Sequence, residues 1–398
     1  MGNPDNWCAC TGFRVEEVTT GLDLPVNLAF VPKPAATPHA PHFYVTELSG
    51  SVKVVTQDWN VHTYADSLLN YAPYRETPAS EDGGVTGICV EPGSGDLFIS
   101  MLYDEAGTHH GKVVRAHSSD GLHVESLSTV LESIPVSGKF HQGLAVSLGP
   151  DGMLYVNVAD GGEAEAAQDM ENFKGKILRL SRYGCVPPDN PWHGSPVYAY
   201  GFRNPPGAAW RRTDGSLYVC TKGPGRDDVV ARVKPGRNHG WPMTMRQYSL
   251  FVWEQAQAPT ALAFAQDGEF PVEYEGDLFV ALFGDPYVRG RHDKGKKIVR
   301  LKLNEDGSGV HTYDEFVTYV GNGPASPCGL AFGPGGLYFT DFHGEQDGDY
   351  HGAGSVYRVS PLSNSTVSAN PVTTKADSDA NEVFESDPPF PPSPVVWG

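Results

Sequence analysis

The chain has 398 residues, enough to bury a large core, and its 39% hydrophobic and 19% charged residues exclude an intrinsically disordered protein. Asp and Glu number 48 against 29 Lys and Arg, a formal charge of −19 that repels phosphate backbones and anionic lipid, so neither nucleic acid nor a membrane is expected as a partner. No apolar run approaches membrane-spanning length, and 46 Gly with 33 Pro favour many short strands over long helices.

The start, MGNPDN, lacks a signal peptide, and Asn6 stands where a myristoylation motif needs Ser or Thr. A mature secreted protein with a new Met1 would begin this way, so an extracellular location is expected. Phe13-Arg-Val-Glu-Glu-Val18 then reads as a strand without a local partner. From Asn27 a unit recurs: an apolar strand, a Pro/Asp/Gly turn, a second strand ending in L-Y/F-V, and a third often reading G-x-V-x-R-V. It starts again at Val85, Gly143, Gly207, Ala261 and Gly329, at spacings of 54 to 68 residues. Gly and Pro supply the hairpin turns, and Val, Leu, Ile, Tyr and Phe supply strands buried on both faces.

A single unit cannot cover both of its own faces, so six must close into a ring, an all-β six-bladed β-propeller over residues 1–360. Most units end in an outer strand such as VHTYADSL, HVESLSTVL or VHTYDEFVTYV, but none follows the sixth. Phe13 to Val18 is expected to fill that place by pairing with Ser355 to Val359. The nearest approach to an amphipathic helix is the stretch from Glu163 to Phe173. From 361 to 398 a Ser/Thr/Pro/Asp-rich segment without strand period reads as a tail or linker, with a glycosylation sequon at Asn364. Six scattered cysteines permit disulfides and point to an oxidising compartment without fixing a pairing.

Propeller sites gather where strand ends meet the central channel. His141 precedes the inner strand of unit three, and Arg203-Asn204 precedes that of unit four. Arg is always charged and grips carboxylates through parallel donors, so an anionic ligand is expected there. Lys222-Gly223-Pro224 follows the second strand of unit four; Lys222 adds a cation, and the Gly-Pro backbone can present carbonyls to a hard cation. Asp160-Gly161-Gly162-Glu163, the loop holding Arg289, Arg291 and His292, and Asp341-Phe342-His343 face the same end. Each alone could equally be a structural turn or a surface ion pair.

Together, HQGL, GPDG-LYV, DGG, AAQD, GKILRL, PPDNPW, YGFRNPPG, GPGRDD and PGRNHGWP run in that order between His141 and Pro242. The series resembles the soluble quinoprotein sugar dehydrogenases of the glucose and sorbosone dehydrogenase type. Its secretion and tail look most like the fungal pyranose dehydrogenase branch. The resemblance implies pyrroloquinoline quinone (PQQ) and Ca2+ at the channel mouth. It implies that His141 is the base removing a sugar hydroxyl proton, that Arg203 lies beside the quinone with Asn204, and that the Gly223 and Pro224 carbonyls hold calcium. Electrons would pass to a cytochrome or small quinone, not to oxygen.

The chain departs from the glucose enzymes at Phe283-Gly284-Asp285, where they carry a Lys. It departs again at Ser326-Pro327-Cys328, where they carry an Arg pair, and at Asp82, where they carry Gln. Lys222, Arg289, Arg291 and His343 are the candidate replacements. Two other readings are a calcium-dependent lactonase-type hydrolase on the same ring and a non-catalytic propeller binding module.

Overall fold

The structure is a computed structural model, and it describes residues 6–72, 83–136, 141–285, 288–343 and 352–362. Six antiparallel sheets follow one another along the chain, so the β-propeller read from the repeats is what the protein forms. The inner strands are Pro25–Phe30, Val85–Val90, Leu144–Leu148, Asn204–Arg211, Pro259–Phe264 and Pro327–Gly333. Burial falls from the middle of each blade outwards. Leu278–Leu282, the second strand of blade five, is buried at every residue, whereas the outer strand Ser126–Pro135 is mostly exposed. That gradient is why the middle strands read as continuous apolar runs and the outer ones mix charge with Val and Leu.

The inner strands crowd at the axis. A Cβ on Gly329 would lie 2.7 Å from the Val26 carbonyl oxygen and 2.8 Å from the Asn27 Cα, so only glycine lets blade six meet blade one. Buried polar side chains then tie neighbouring blades together at four junctions. Ser100 Oγ donates to Leu144 O (2.9 Å), Asn157 Nδ2 to Pro205 O (3.1 Å), Thr260 Oγ1 to Cys328 O (2.8 Å) and Thr340 Oγ1 to Val26 O (3.3 Å). These bonds satisfy carbonyls that the blade's own ladder leaves open.

The ring closes as expected. Phe13–Leu22 is the outer strand of blade six, with Val15 opposite Val359 and Glu17 opposite Tyr357. The pairing extends past Val18 to Leu22, through irregularities near Val18 and Gly21. One strand escapes the sequence reading. Trp7–Ala9 adds a fifth strand to blade five, outside Val310–Tyr319. The reason is packing: Phe316, Val317 and Tyr319 end that strand buried, and the Trp7 ring covers them 5.1 Å from Tyr319 while reaching Phe339 of blade six at 5.0 Å.

The stretch from Glu163 to Phe173, the nearest approach to an amphipathic helix, forms only a 3-10 turn, Ala164–Ala167, with Ala167 alone buried. Asp169 then bonds the Glu171 N–H and Asn172, which holds the chain in a loop. All six cysteines are free thiols. Among the described residues no helix is long and apolar enough to cross a membrane. Met1–Leu362 forms the compact unit; of the expected tail, 361–398, Pro361 ends the strand Gly354–Pro361, and 363 onward lies outside the described residues.

Candidate active site

The strand Leu154–Val158 delivers Asp160 to the channel end of blade three, where the carboxylate is 1% exposed. Its Oδ1 accepts from His141 Nδ1 at 2.6 Å and from the Gly162 N–H at 2.9 Å, while Oδ2 accepts from Trp241 Nε1 at 2.9 Å. An ionised carboxylate only accepts, so Nδ1 is the donor of this bond, and in a neutral imidazole that leaves the lone pair on Nε2. His141 holds a left-handed backbone, φ 56°, which costs about 1–3 kcal/mol in a non-glycine residue. The charge-assisted bond to Asp160 offsets that strain. The side chain keeps 16% of its surface exposed.

Blade four supplies the cations. The Asp160 N–H donates to the Arg203 carbonyl at 2.7 Å, which fixes Arg203 beside the dyad. Arg203 Nη1 donates to Lys222 O (3.2 Å) and Gly223 O (2.9 Å), and its guanidinium lies 5.5 Å from the centre of a Trp241 ring. Asn204 is buried, its N–H bonded to Thr221 Oγ1 at 3.0 Å. Lys222, half-buried, ends the strand Ser216–Lys222 next to this site.

The loop after Lys222 is shaped by one carboxylate. Asp228 accepts the Gly223 N–H at 2.7 Å on one oxygen and the Gln257 and Ala258 N–H groups at 2.6 and 2.8 Å on the other. A Cβ on residue 223 would meet the Arg226 carbonyl at 1.8 Å, so glycine is required. Gly223 is buried and Pro224 exposed. Among the described residues no cluster of three or more His, Cys, Asp or Glu side chains could hold a metal, so a cation here would rest on carbonyl oxygens.

The His141–Asp160 pair, the Arg203 guanidinium and the Lys222 and Gly223 carbonyls thus meet at one end of the channel. The profile of the Glucose / Sorbosone dehydrogenase family matches residues 22–312, a span that holds all of them. The chain belongs to this family. It is an oxidoreductase of the sugar dehydrogenase kind, as the motif series between His141 and Pro242 implied. The aldose sugar dehydrogenase YliI of Escherichia coli K12 is 25% identical over 350 residues, 80% of this chain and 89% of that protein. A crystal structure described as a putative oxidoreductase (glucose dehydrogenase) from Thermus thermophilus matches with TM-score 0.70 and 29% identity, covering 87% of this chain and 100% of that one. The holo pyranose dehydrogenase PQQ domain of Coprinopsis cinerea matches with TM-score 0.61 and 13% identity, over 89% of this chain and 97% of that one, a likeness that shows the fold alone.

The dehydrogenase carries its remaining predicted groups on blades five and six. Arg289 and Arg291 are exposed on the loop after Leu278–Leu282. His343 is 2% exposed, against the rings of Phe342 (4.7 Å) and Phe283 (5.8 Å). Burial, and then the Lys296 charge, lowers its pKa to about 4, which favours the neutral imidazole at pH 7. The buried cation there is Lys296, which the sequence reading missed; its ammonium bonds the Val288 and Gly323 carbonyls and lies 5.5 Å from the Tyr319 ring centre. Also unassigned were the roles of Asp160, Trp241 and Asp228. Their signals were the DGG after a second strand, the Trp of NHGWP and the second Asp of RDD.

Two buried imidazoles make the fold acid-sensitive. His239 stacks on Phe202 at 4.6 Å, and burial, then Arg237, lowers its pKa to about 3 from the ordinary 6.5. Between pH 6.5 and about 4 the unfolded chain takes up protons at His239 and His343 while the folded chain does not. Stability therefore falls with falling pH, by about 1.4 kcal/mol per unit per histidine. His239→Leu is expected to flatten the drop in unfolding temperature between about pH 6.5 and 5. An equal drop in variant and parent would remove His239 from the account.

Proposed function

We propose that the protein oxidises a hydroxyl of aldoses, pyranose sugars among them, by hydride transfer to PQQ held with Ca2+ at the channel mouth. When bound, PQQ supplies the two-electron acceptor. The observation that carries the reading is the His141–Asp160 dyad, with Nδ1 of the imidazole turned to the carboxylate, beside Arg203. His141 takes the hydroxyl proton on Nε2 as the carbon-bound hydrogen leaves with its electron pair. Asp160 keeps the other imidazole nitrogen protonated and the ring in place. Arg203 and Lys222 provide positive charge for an anionic cofactor, with Asn204 alongside, while Arg289 and Arg291 flank the mouth from blade five.

The loop chemistry fits calcium in part. The Gly223 and Pro224 carbonyls are hard oxygens, but calcium takes about six to eight, so the remainder would come from cofactor and water. Gly223 O also accepts from Arg203 at 2.9 Å. A calcium ion there would share that oxygen with a guanidinium, and two cations so close call for an anionic group between them. Calcium and cofactor should therefore bind together. The electrons are proposed to leave to a cytochrome or small quinone, and the enzyme to work outside the cell, as its acidic composition suits.

The test is to add PQQ with and without Ca2+ to apo protein and follow dye reduction with a panel of aldoses. Reduction that needs both additions, and PQQ binding that a chelator abolishes at low cofactor concentration and Ca2+ restores, are expected. Equal PQQ affinity with and without chelator would remove calcium from the proposal. No dye reduction with any sugar under saturating cofactor would remove the reaction.

A further inference from the structure

We propose that Trp241 is a positioning residue that couples the base to the cofactor-binding cation through two different parts of one indole. The inference rests on the function proposed above and deepens it. The indole N–H donates to Asp160 Oδ2 at 2.9 Å, and Asp160 Oδ1 carries His141 at 2.6 Å. Donors on both oxygens stop the carboxylate from turning about its Cβ–Cγ bond, and so orient the imidazole. The face of the same side chain lies 5.5 Å from the Arg203 guanidinium carbon, a cation–π distance.

The indole cannot follow a shift of either neighbour, because its backbone is anchored separately. The Trp241 N–H donates to Gly201 O at 3.0 Å, and its carbonyl accepts from Gln168 Nε2. Gln168 is in turn held by a reciprocal amide pair with Asn238, at 2.6 and 3.1 Å. Trp241 thereby fixes the separation between the imidazole that takes a proton and the guanidinium that faces the cofactor. Hydride transfer is sensitive to such alignment at the level of about an ångström.

The two contacts can be removed one at a time. Trp241→Phe keeps a ring under Arg203 and loses the N–H; Trp241→Leu loses both. PQQ affinity is read by equilibrium titration of apo protein with Ca2+, and turnover by dye reduction at saturating PQQ. Trp241→Phe is expected to hold PQQ within about twofold of the parent and to turn over about tenfold more slowly, the scale of one hydrogen bond to a charged group. Trp241→Leu is expected to lose PQQ affinity as well, by several-fold to about tenfold. Parental turnover in Trp241→Phe, or equal loss of affinity and turnover in both variants, overturns the proposal.

A second readout needs no cofactor. In apo protein labelled with 15N-tryptophan, the Trp241 indole N–H resonance, identified by its absence in Trp241→Phe, is expected to move when His141 is replaced by alanine. An unmoved resonance overturns the coupling. Failure of the parent to bind PQQ would instead overturn the cofactor assignment, and this measurement would still decide the chain from imidazole to indole.

Discussion

His141→Ala is expected to bind PQQ with near-parental affinity and to reduce dye with aldose at least about 100-fold more slowly, the scale of a lost general base. The imidazole is bonded to Asp160 at 2.6 Å, whereas the positive charge proposed for the cofactor comes from Arg203 and Lys222. Arg203→Ala should behave differently, losing PQQ affinity along with turnover. Its guanidinium also braces the Lys222 and Gly223 carbonyls, so its removal loosens the loop proposed to hold calcium. The two variants are best measured as a pair, by PQQ titration and by aldose turnover. Full turnover in His141→Ala would leave the reaction without its base and reopen the hydrolase and binding-module readings.

Asp160→Asn is the second large effect, with turnover falling by about 100-fold to 10,000-fold, as when a histidine is left in the wrong tautomer. Three N–H groups converge on this carboxylate: His141 Nδ1 and the Gly162 amide on Oδ1, and Trp241 Nε1 on Oδ2. An amide has one acceptor oxygen and one NH2. With its oxygen towards Trp241, the NH2 faces His141 and moves the imidazole proton to Nε2, where it blocks the lone pair the base needs. With its oxygen towards His141, the NH2 opposes the indole N–H, and a buried donor goes unmet. PQQ affinity should change little, because Asp160 contributes no positive charge. A loss below about tenfold would show that His141 finds its working tautomer without Asp160.

Much of the fold was legible because a propeller blade is a local object. Each hairpin joins strands close in sequence, so Val, Leu and Tyr runs separated by Gly-Pro-Asp-Gly turns announce themselves. Even the closing strand could be read, since the sixth unit lacked an outer strand and Phe13 to Val18 lacked a local partner. Trp7–Ala9 could not be read, because three residues carry no period. Its place was decided by the buried end of Val310–Tyr319, more than 300 residues away in the chain.

Composition and repeats by themselves determined the six-bladed ring and, with position along the blades, the prominence of His141, Arg203 and Lys222-Gly223-Pro224; the sugar dehydrogenase family came from the resemblance of the motif series. Only the tertiary structure decided what those residues touch. His141 meets Asp160 across 19 residues and Asp160 meets Trp241 across 81, and no local pattern records such pairings. It also decided charge. From sequence His343 is a candidate replacement for a missing cation and Lys296 is not singled out, but both lie buried, at 2% and 1% exposure. Burial favours whichever form costs least to remove from water. The imidazole gives up its proton, and carbonyls from Val288 and Gly323 hold the ammonium.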